Sequence, residues 1–518
     1  MKKIGLWLGC MVLLLATAGC KGSSKQAATE TCVDSMFTNP LIYSDVPDVD
    51  VIRVGSDYYM VSTTAHMSPG APIMHSKDLV NWKIVSYVYD ELKESPKNDL
   101  EGGNIYSRGQ WAASLRYHDG LFYVFFGTGN KSYIYTTKDP TGKWDLKLTI
   151  DEYLHDASML FDDDGKIYLA YGARHIRIIE FNEDLSGIKK EGLNVEVIPA
   201  EPKGLLEGVH FYKFDKQYYM TLIWWPEGGI RTQLCFRSDK VDGPYEMKTI
   251  LSDDLGLVNR GVAQGCFIDT EQGEWYAMLF QDHGAVGRVP ALMPCRWTDG
   301  WPMLGDESGK VPPVMKKPIM DDTYKTELVV SDEFDSAPKL GLTWQWNHNP
   351  DNTLWSLTER PGYLRLKTGK VVNGLFEARN TLTQRTEGPE CSGVVALELS
   401  QMKDGDCTGL AAFCSEPGVL SVVMENGKKY LLMSDRGMEK ARKELAQNRI
   451  YLKLDCDFTA DDAVFSYSLD DKEWNQLGDK FHMIFSMAHF TGNKFAIFNY
   501  ATKSAGGYVD VDFFRYAK

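Results

Sequence analysis

Asp48 in "VPDVD", Asp156 in "LHDASMLFDDDG" and Glu207 in "LLEGVHFYK" lie far apart in the chain, yet each opens an apolar, strand-like run at a similar offset. Carboxylates placed at one end of several strands can meet wherever those strands converge. Hydrolysis of a glycosidic bond needs such a meeting: one carboxylate activates water, and another, kept protonated by its surroundings, protonates the leaving oxygen. The competing reading is that they are solvated loop acids, the class to which the hairpin turn Asp162, Asp163 and Asp164 is assigned. The stretch "YSDVPDVDVIRVGSDYYMVSTT" sharpens the question, since it crowds Asp45, Asp48 and Asp50 into six positions ahead of a strand, a tight turn and a second strand. Such a cluster repels itself and gains nothing from burial.

Convergence requires a scaffold, and a repeat supplies one. A turn, an aromatic pair or its equivalent and an apolar strand recur in "GSDYYMVST", "HDGLFYVFFG", "DDGKIYLAYG", "FDKQYYMTLI" and "EQGEWYAMLF". Their last tyrosines, Tyr59, Tyr123, Tyr168, Tyr219 and Tyr276, recur about every 45 to 65 residues, which suits four short strands per repeat. A five-bladed β-propeller over residues 39 to 302 explains this, because each small sheet buries its faces against its neighbours. One large sandwich with similar hairpins is the alternative. Residues 303 to 327, rich in Pro, Gly and charge, read as a connector. From residue 328 to 518 alternating runs such as "SGVVALELS" and "LSVVMENGKKYLLMS" predict a β-sandwich. The fold class is all-β; "MEKARKELAQ" is one of the few stretches that reads as helix. Trp344, Trp346 and Trp355 form either a surface platform or part of the sandwich core.

Composition narrows the partners. The 518 residues carry a net charge of −15 and no basic block after the first few positions, which argues against a nucleic acid ligand and suits a neutral sugar. Ten cysteines include no CxxC pair, so buried thiols are expected, with no metal cluster and no disulfide framework. The apolar run in residues 1 to 19 is a targeting segment, too short to span a bilayer. "TAGC", ending at Cys20, resembles the lipobox of bacterial lipoproteins. That resemblance implies acylation of Cys20, a polar tether over residues 20 to 38 and anchoring to a membrane of the bacterial cell envelope, facing the periplasm or the cell surface; ordinary secretory cleavage is the other reading.

The chain resembles glycoside hydrolase family 43, the five-bladed-propeller β-xylosidases and α-L-arabinofuranosidases. The resemblance rests on "NPLIYSDVPDVDVIRVGSDYYMVSTT", "PGAPIMHSKDLVNWKIV", "GQWAASLRYHDGLFYVFFG", "HDASMLFDDDGKIYLAYG", "LLEGVHFYKFDKQYYM" and "GEWYAMLFQDHGAVGRVPALMPCRWTDGWP". They follow in order across residues 39 to 302, and the remainder resembles the concanavalin-like sandwich of family β-xylosidases. By that resemblance Asp48 is the general base, Glu207 the general acid and Asp156 the ionised neighbour that raises the pKa of Glu207. It also implies Trp111 and Trp225 as sugar-stacking walls, Arg288 as a contact to sugar hydroxyls, and His283 with Gln281 lining the same pocket. His155 stands where many family xylosidases carry an aromatic residue. Gln264 stands where many members place a histidine on a central calcium, so no cofactor is expected to be required and a structural cation is left open.

The implied activity is exo-acting, inverting release of terminal α-L-arabinofuranose or β-D-xylose from hemicellulose fragments such as arabinoxylan, xyloglucan or arabinan oligosaccharides. A non-catalytic glycan-binding surface lipoprotein is the alternative, and the intact trio of Asp48, Asp156 and Glu207 speaks against it.

Overall fold

The aromatic repeat falls on the second strand of each of five four-stranded antiparallel sheets in the computed structural model. Those strands are Asp57–Val61, Leu121–Thr128, Ile167–Tyr171, Gln217–Trp225 and Trp275–Asp282. The structure describes residues 35–199, 203–321, 323–336 and 338–518. The leader, Cys20 and most of the tether therefore lie outside the described residues. Among those described, no helix is long and apolar enough to cross a membrane.

The first strands of the five sheets touch one another in a closed ring: Asp50–Val54, Ser114–His118, Ser158–Phe161, Leu205–Phe214 and Ala263–Asp269. This is a five-bladed propeller with those strands innermost. Alternation explains the packing, since strand side chains point to both sheet faces and each face meets the next blade. Val61, Ile73 and Val88 of the first blade, for example, share a core with Leu115, Phe122 and Val124 of the second. The ring is closed by main-chain bonds from the segment ahead of the first blade to the last blade, Leu41 N–H to Pro290 O at 2.8 Å and Val46 N–H to Arg288 O at 2.9 Å.

Beyond the propeller, the chain first returns along it. Val314–Lys316 pairs with Met36–Thr38, and Leu328 packs in a core cluster with Phe37 and Trp82 of the propeller. Two large antiparallel sheets follow, their inner faces closing on one apolar core that includes Leu364, Val395, Leu420, Leu452 and Phe514. One sheet takes its edge strand from the propeller: Met67–Ser68 pairs with Gln345–Asn347. Trp344 and Trp346 are 2% and 5% exposed, which places them in the core, while the half-buried Trp355 leans on Trp346.

"MEKARKELAQ" is not a helix. Met438–Leu445 is the outermost strand of a sandwich sheet, paired with Lys428–Asp435. Its helix-forming residues are overruled by a neighbour's free edge, and its exposed Lys, Arg and Glu side chains discourage further pairing there. Asp162 also departs from expectation. It is buried and bonded to Lys213 and the Tyr218 hydroxyl, so it is no solvated turn acid.

Candidate active site

The three crowded acids of the opening stretch go to three different places. Asp45 accepts hydrogen bonds from the backbone of Arg288 at 3.0 Å and of Gly492, in the sandwich, at 2.9 Å. Asp50 begins the innermost strand of blade one and is 1% exposed. It accepts from Leu115 N–H at 2.8 Å and from the Arg116 guanidinium at 2.7 Å. Arg116 also donates to Ser158, whose hydroxyl accepts from Phe211 N–H, so blades one to four are tied around the axis. Asp50 is thus a buried acid that ties the start of its strand to the neighbouring blade. Asp48 borders the hub with its carboxylate beside a guanidinium, 4% exposed, with Arg288 Nη1 3.2 Å away. Burial pushes its carboxyl above the ordinary range, and the Arg288 charge opposes that push.

Backbone strain marks the same level in the other blades. Asp48, Asp156 and Gln264 adopt the left-handed region at φ 53°, 44° and 66°, and Gly208 joins them at 68°. Side chains other than glycine are costly there, and such strain gathers at functional sites. At Gly208 a Cβ would lie 2.5 Å from the Gln264 amide carbon, so only glycine fits between Glu207 and the axis.

Asp156 and Glu207 are brought together with His155 between them. His155 Nε2 lies 3.1 Å from Glu207 Oε2 and 3.6 Å from Asp156 Oδ2, and its Nδ1 lies 2.9 Å from the Tyr153 hydroxyl. Burial pushes the Asp156 carboxyl up to about 7, with Glu207 and Asp48 adding to the rise and His155 and Arg288 opposing it. Burial thus works against the ionised Asp156 that the resemblance implies, and His155 and Arg288 work for it. Burial opposes charging of His155, but Asp156 and Glu207 outweigh it and carry the imidazole up to about 9.

Arg288 is held from every side. Besides Asp48, its Nε lies 3.2 Å from Asp282, and its guanidinium stands over Phe280 and over Phe490 of the sandwich, at 4.8 and 4.4 Å from the ring centroids. Asp282 also pairs with Arg231, whose guanidinium lies 3.8 Å over the Trp225 ring. One face of Trp225 is therefore occupied by protein. Trp111 lines an open cleft of about 870 Å³ together with Glu94, Tyr106, Arg108, Tyr153 and His155. Its ring meets Phe490 edge-on at 4.4 Å. Asp48, Asp156, Gly208 and Gln264 border a smaller chamber on the axis. His283 packs edge-on against Tyr43, and burial pushes its imidazole down to about 4. Gln281 donates its amide to the Asp254 and Arg260 carbonyls, so it braces a loop and has no donor left for a sugar.

The axis is a poor home for calcium. Gln264 and Asp50 border the chamber, but the Arg116 guanidinium already occupies Asp50, and His210 Nε2 lies 3.7 Å from its other oxygen. A divalent cation there would sit beside a fixed like charge. His155, Asp156 and Glu207 place their ligating atoms within 4.8 Å of one another, and the hydrogen bond already joining His155 to Glu207 accounts for that spacing.

Four contributors escaped the sequence reading: Tyr153, Arg231, Asp282 and Phe490. Asp282 and Tyr153 sit within three positions of residues singled out above, so nearness in the chain offered a signal for them. Phe490 lies far along the chain from both Arg288 and Trp111 and carries none.

Carboxylates on a propeller hub, Asp48 buried beside an arginine and buried Asp156 sharing a histidine with half-buried Glu207, define a glycoside hydrolase of the two-carboxylate kind. Residues 37–302 match Glycosyl hydrolases family 43, and residues 331–517 match the Beta xylosidase C-terminal Concanavalin A-like domain. The chain belongs to glycosyl hydrolase family 43. A β-xylosidase of Formosa agariphila is 34% identical over 93% of this chain and 90% of its own. A non-reducing end α-L-arabinofuranosidase of Bacteroides ovatus is 33% identical over 67% of each chain. Among solved structures, a bifunctional GH43-CE protein of Bacteroides eggerthii aligns with a TM-score of 0.88 and 43% identity over 93% of this chain. The present chain spans 63% of that larger protein.

Proposed function

We propose that this glycosidase is exo-acting and inverting, and that it removes terminal α-L-arabinofuranose or β-D-xylose from hemicellulose-derived oligosaccharides. Asp48 serves as general base, Glu207 as general acid, and Asp156 tunes Glu207. The observation that carries this reading is the division of the hub. Asp48 stands with Arg288 on one side, and Glu207 stands with Asp156 and His155 on the other. The two carboxyl functions thus have different electrostatic settings, a fixed guanidinium for one and a second carboxyl with a titratable imidazole for the other. Asp48, held against a guanidinium, is suited to take a proton from water. Glu207, beside the cleft-lining His155, is suited to pass a proton to the leaving oxygen. Arg288 is held against Asp48 and Asp282, and Trp111, which lines the cleft, offers an aromatic wall. Phe490 of the sandwich packs against Trp111 and Arg288, so the second domain supports this wall.

Proton NMR of the first-formed sugar from aryl β-D-xyloside and aryl α-L-arabinofuranoside tests the stereochemistry; a product of retained configuration overturns it. Long xylan cut internally from the earliest time points overturns the exo assignment. We also infer that Cys20 carries lipid and holds the enzyme on the cell envelope. Labelled palmitate incorporated by the wild type and lost in Cys20→Ala supports this, and an unlabelled wild type refutes it.

A further inference from the structure

His155 has no part in the division of labour given above, yet it holds the central position in it. Its ring bridges the two acids, with Nε2 at 3.1 Å from Glu207 and 3.6 Å from Asp156, while Nδ1 meets Tyr153 at 2.9 Å. Both ring nitrogens thus have a partner able to accept a hydrogen bond, which suits the doubly protonated ring. In the doubly protonated ring the Nε2 proton points at Glu207 and the Nδ1 proton at the Tyr153 hydroxyl. We propose that His155 is a positioning residue that acts on the general acid: its imidazolium braces Glu207 from the cleft side and stabilises the carboxylate that forms when Glu207 gives its proton to the leaving oxygen.

The need for such a brace follows from the surroundings. When Glu207 donates its proton, a new negative charge appears beside Asp156, itself 9% exposed, and within the field of Asp48. Like charges that close oppose ionisation, and a cation in hydrogen-bond contact offsets them. Arg288 is engaged with Asp48 and Asp282, so it is not free to do so. On the cleft side Glu94, Lys97, Arg108 and Lys131 line the same space as His155. Glu94 is bonded to Thr128 and Tyr133, and Lys131 is paired with Asp151. His155 is the cationic group in hydrogen-bond contact with Glu207. Its imidazole, carried up to about 9 by Asp156 and Glu207 against the effect of burial, is charged at neutral pH.

This inference rests on Glu207 being the general acid, and the experiment separates the two. The full-length enzyme and its His155→Phe, His155→Gln and Glu207→Ala variants are assayed on 4-nitrophenyl and 2,4-dinitrophenyl glycosides across pH, with the melting temperature of each recorded. Removing a positive charge makes Glu207 a weaker acid, so the alkaline limb of kcat/KM moves to higher pH, by about one unit in both His155 variants. Turnover of the poorer leaving group falls by about tenfold, and that of the dinitrophenyl glycoside changes little, because it needs scant protonation. The glutamine variant keeps an N–H donor without the charge, so a matching shift in both assigns the effect to charge and not to packing. An alkaline limb left in place in both folded variants overturns the inference, provided Glu207→Ala still loses activity mainly on the poorer leaving group. If Glu207→Ala shows no such dependence, the acid assignment itself falls.

Discussion

Phe490 of the sandwich covers the guanidinium of Arg288 in the propeller, 4.4 Å from ring centroid to charge, and the same ring meets Trp111 edge-on. A residue from the second domain thus backs Trp111 and Arg288, while the hub acids all come from the first. Phe490→Ala removes one cation–π face and opens the pocket, so KM for aryl glycosides should rise by roughly tenfold, the equivalent of about 1.4 kcal/mol. Steady-state kinetics equal to wild type would show that the sandwich has no share in the sugar site.

The two acids two positions apart should separate function from stability. Asp48→Asn should cut turnover by about 10² to 10⁴, the usual worth of a positioned base, while the melting temperature holds. Asp50→Asn leaves the Arg116 guanidinium facing a neutral amide in a buried setting, and should destabilise by about 3 to 5 kcal/mol. Thermal unfolding and turnover of both variants check this. A folded, inactive Asp50→Asn beside an active Asp48→Asn would reverse the assignment.

Arg288 holds Asp48 down against the upward push of burial. In Arg288→Gln the carboxyl titrates higher, so Asp48 is an ionised base only at higher pH. The acidic limb of the kcat/KM profile should therefore move up, with activity lower throughout. An acidic limb at its wild-type position would exclude Arg288 as the group that sets it.

Acid should weaken the junction of the two domains. His66, from the propeller, lies 4.7 Å from His489 and 5.1 Å from His348 of the sandwich, ring centroid to centroid, and all three are buried. Burial holds all three below the ordinary imidazole range, His348 and His489 at about 3. The unfolded chain binds protons from near pH 6.5 downward that these folded imidazoles refuse until about pH 3. Their contribution is thus complete above pH 6.5 and lost as pH falls through that window, at about 1.4 kcal/mol per pH unit for each group. Lys494, its ammonium disfavoured by burial and held at about 7, acts with the same sign at higher pH. The melting temperature measured from pH 7 to pH 4 should fall steeply, and less steeply in His348→Phe. Equal slopes in the two proteins would clear the cluster of this role.

Much of this was legible in the sequence, for a physical reason. A blade is a local object, so the turn, aromatic pair and apolar run that recur with Tyr59 through Tyr276 report its second strand directly. Asp48, Asp156 and Glu207 could be placed because each keeps a fixed offset from such a run. Arg288, set among apolar neighbours, had to find an anion, and it found Asp48 and Asp282. What escaped depends on contacts between distant segments. Phe490 reads as one more aromatic in a sandwich loop until Arg288 lies beneath it. The strand at Met438–Leu445 reads as a helix because its partner edge is absent from its own residues. The burial of Asp162 comes from Lys213 and Tyr218, both on the next blade. His155 was noticed for what it replaces, and its bridging place only appears once two blades are side by side.

The strand Met67–Ser68 belongs by chain to the propeller and by hydrogen bonding to the sandwich sheet, where it pairs with Gln345–Asn347. That single pairing bears on how such an enzyme can be inherited. A recombination breakpoint between the two halves would leave Trp346 and Asn347 at an uncovered sheet margin, a template for pairing with other chains. It would leave the donor fragment with a stretch of backbone shaped for a sheet it no longer meets. New combinations of these halves therefore start from a handicap that ordinary linker-joined modules do not carry, and the two halves are expected to share one line of descent, changing at Ser68 and Trp346 in step.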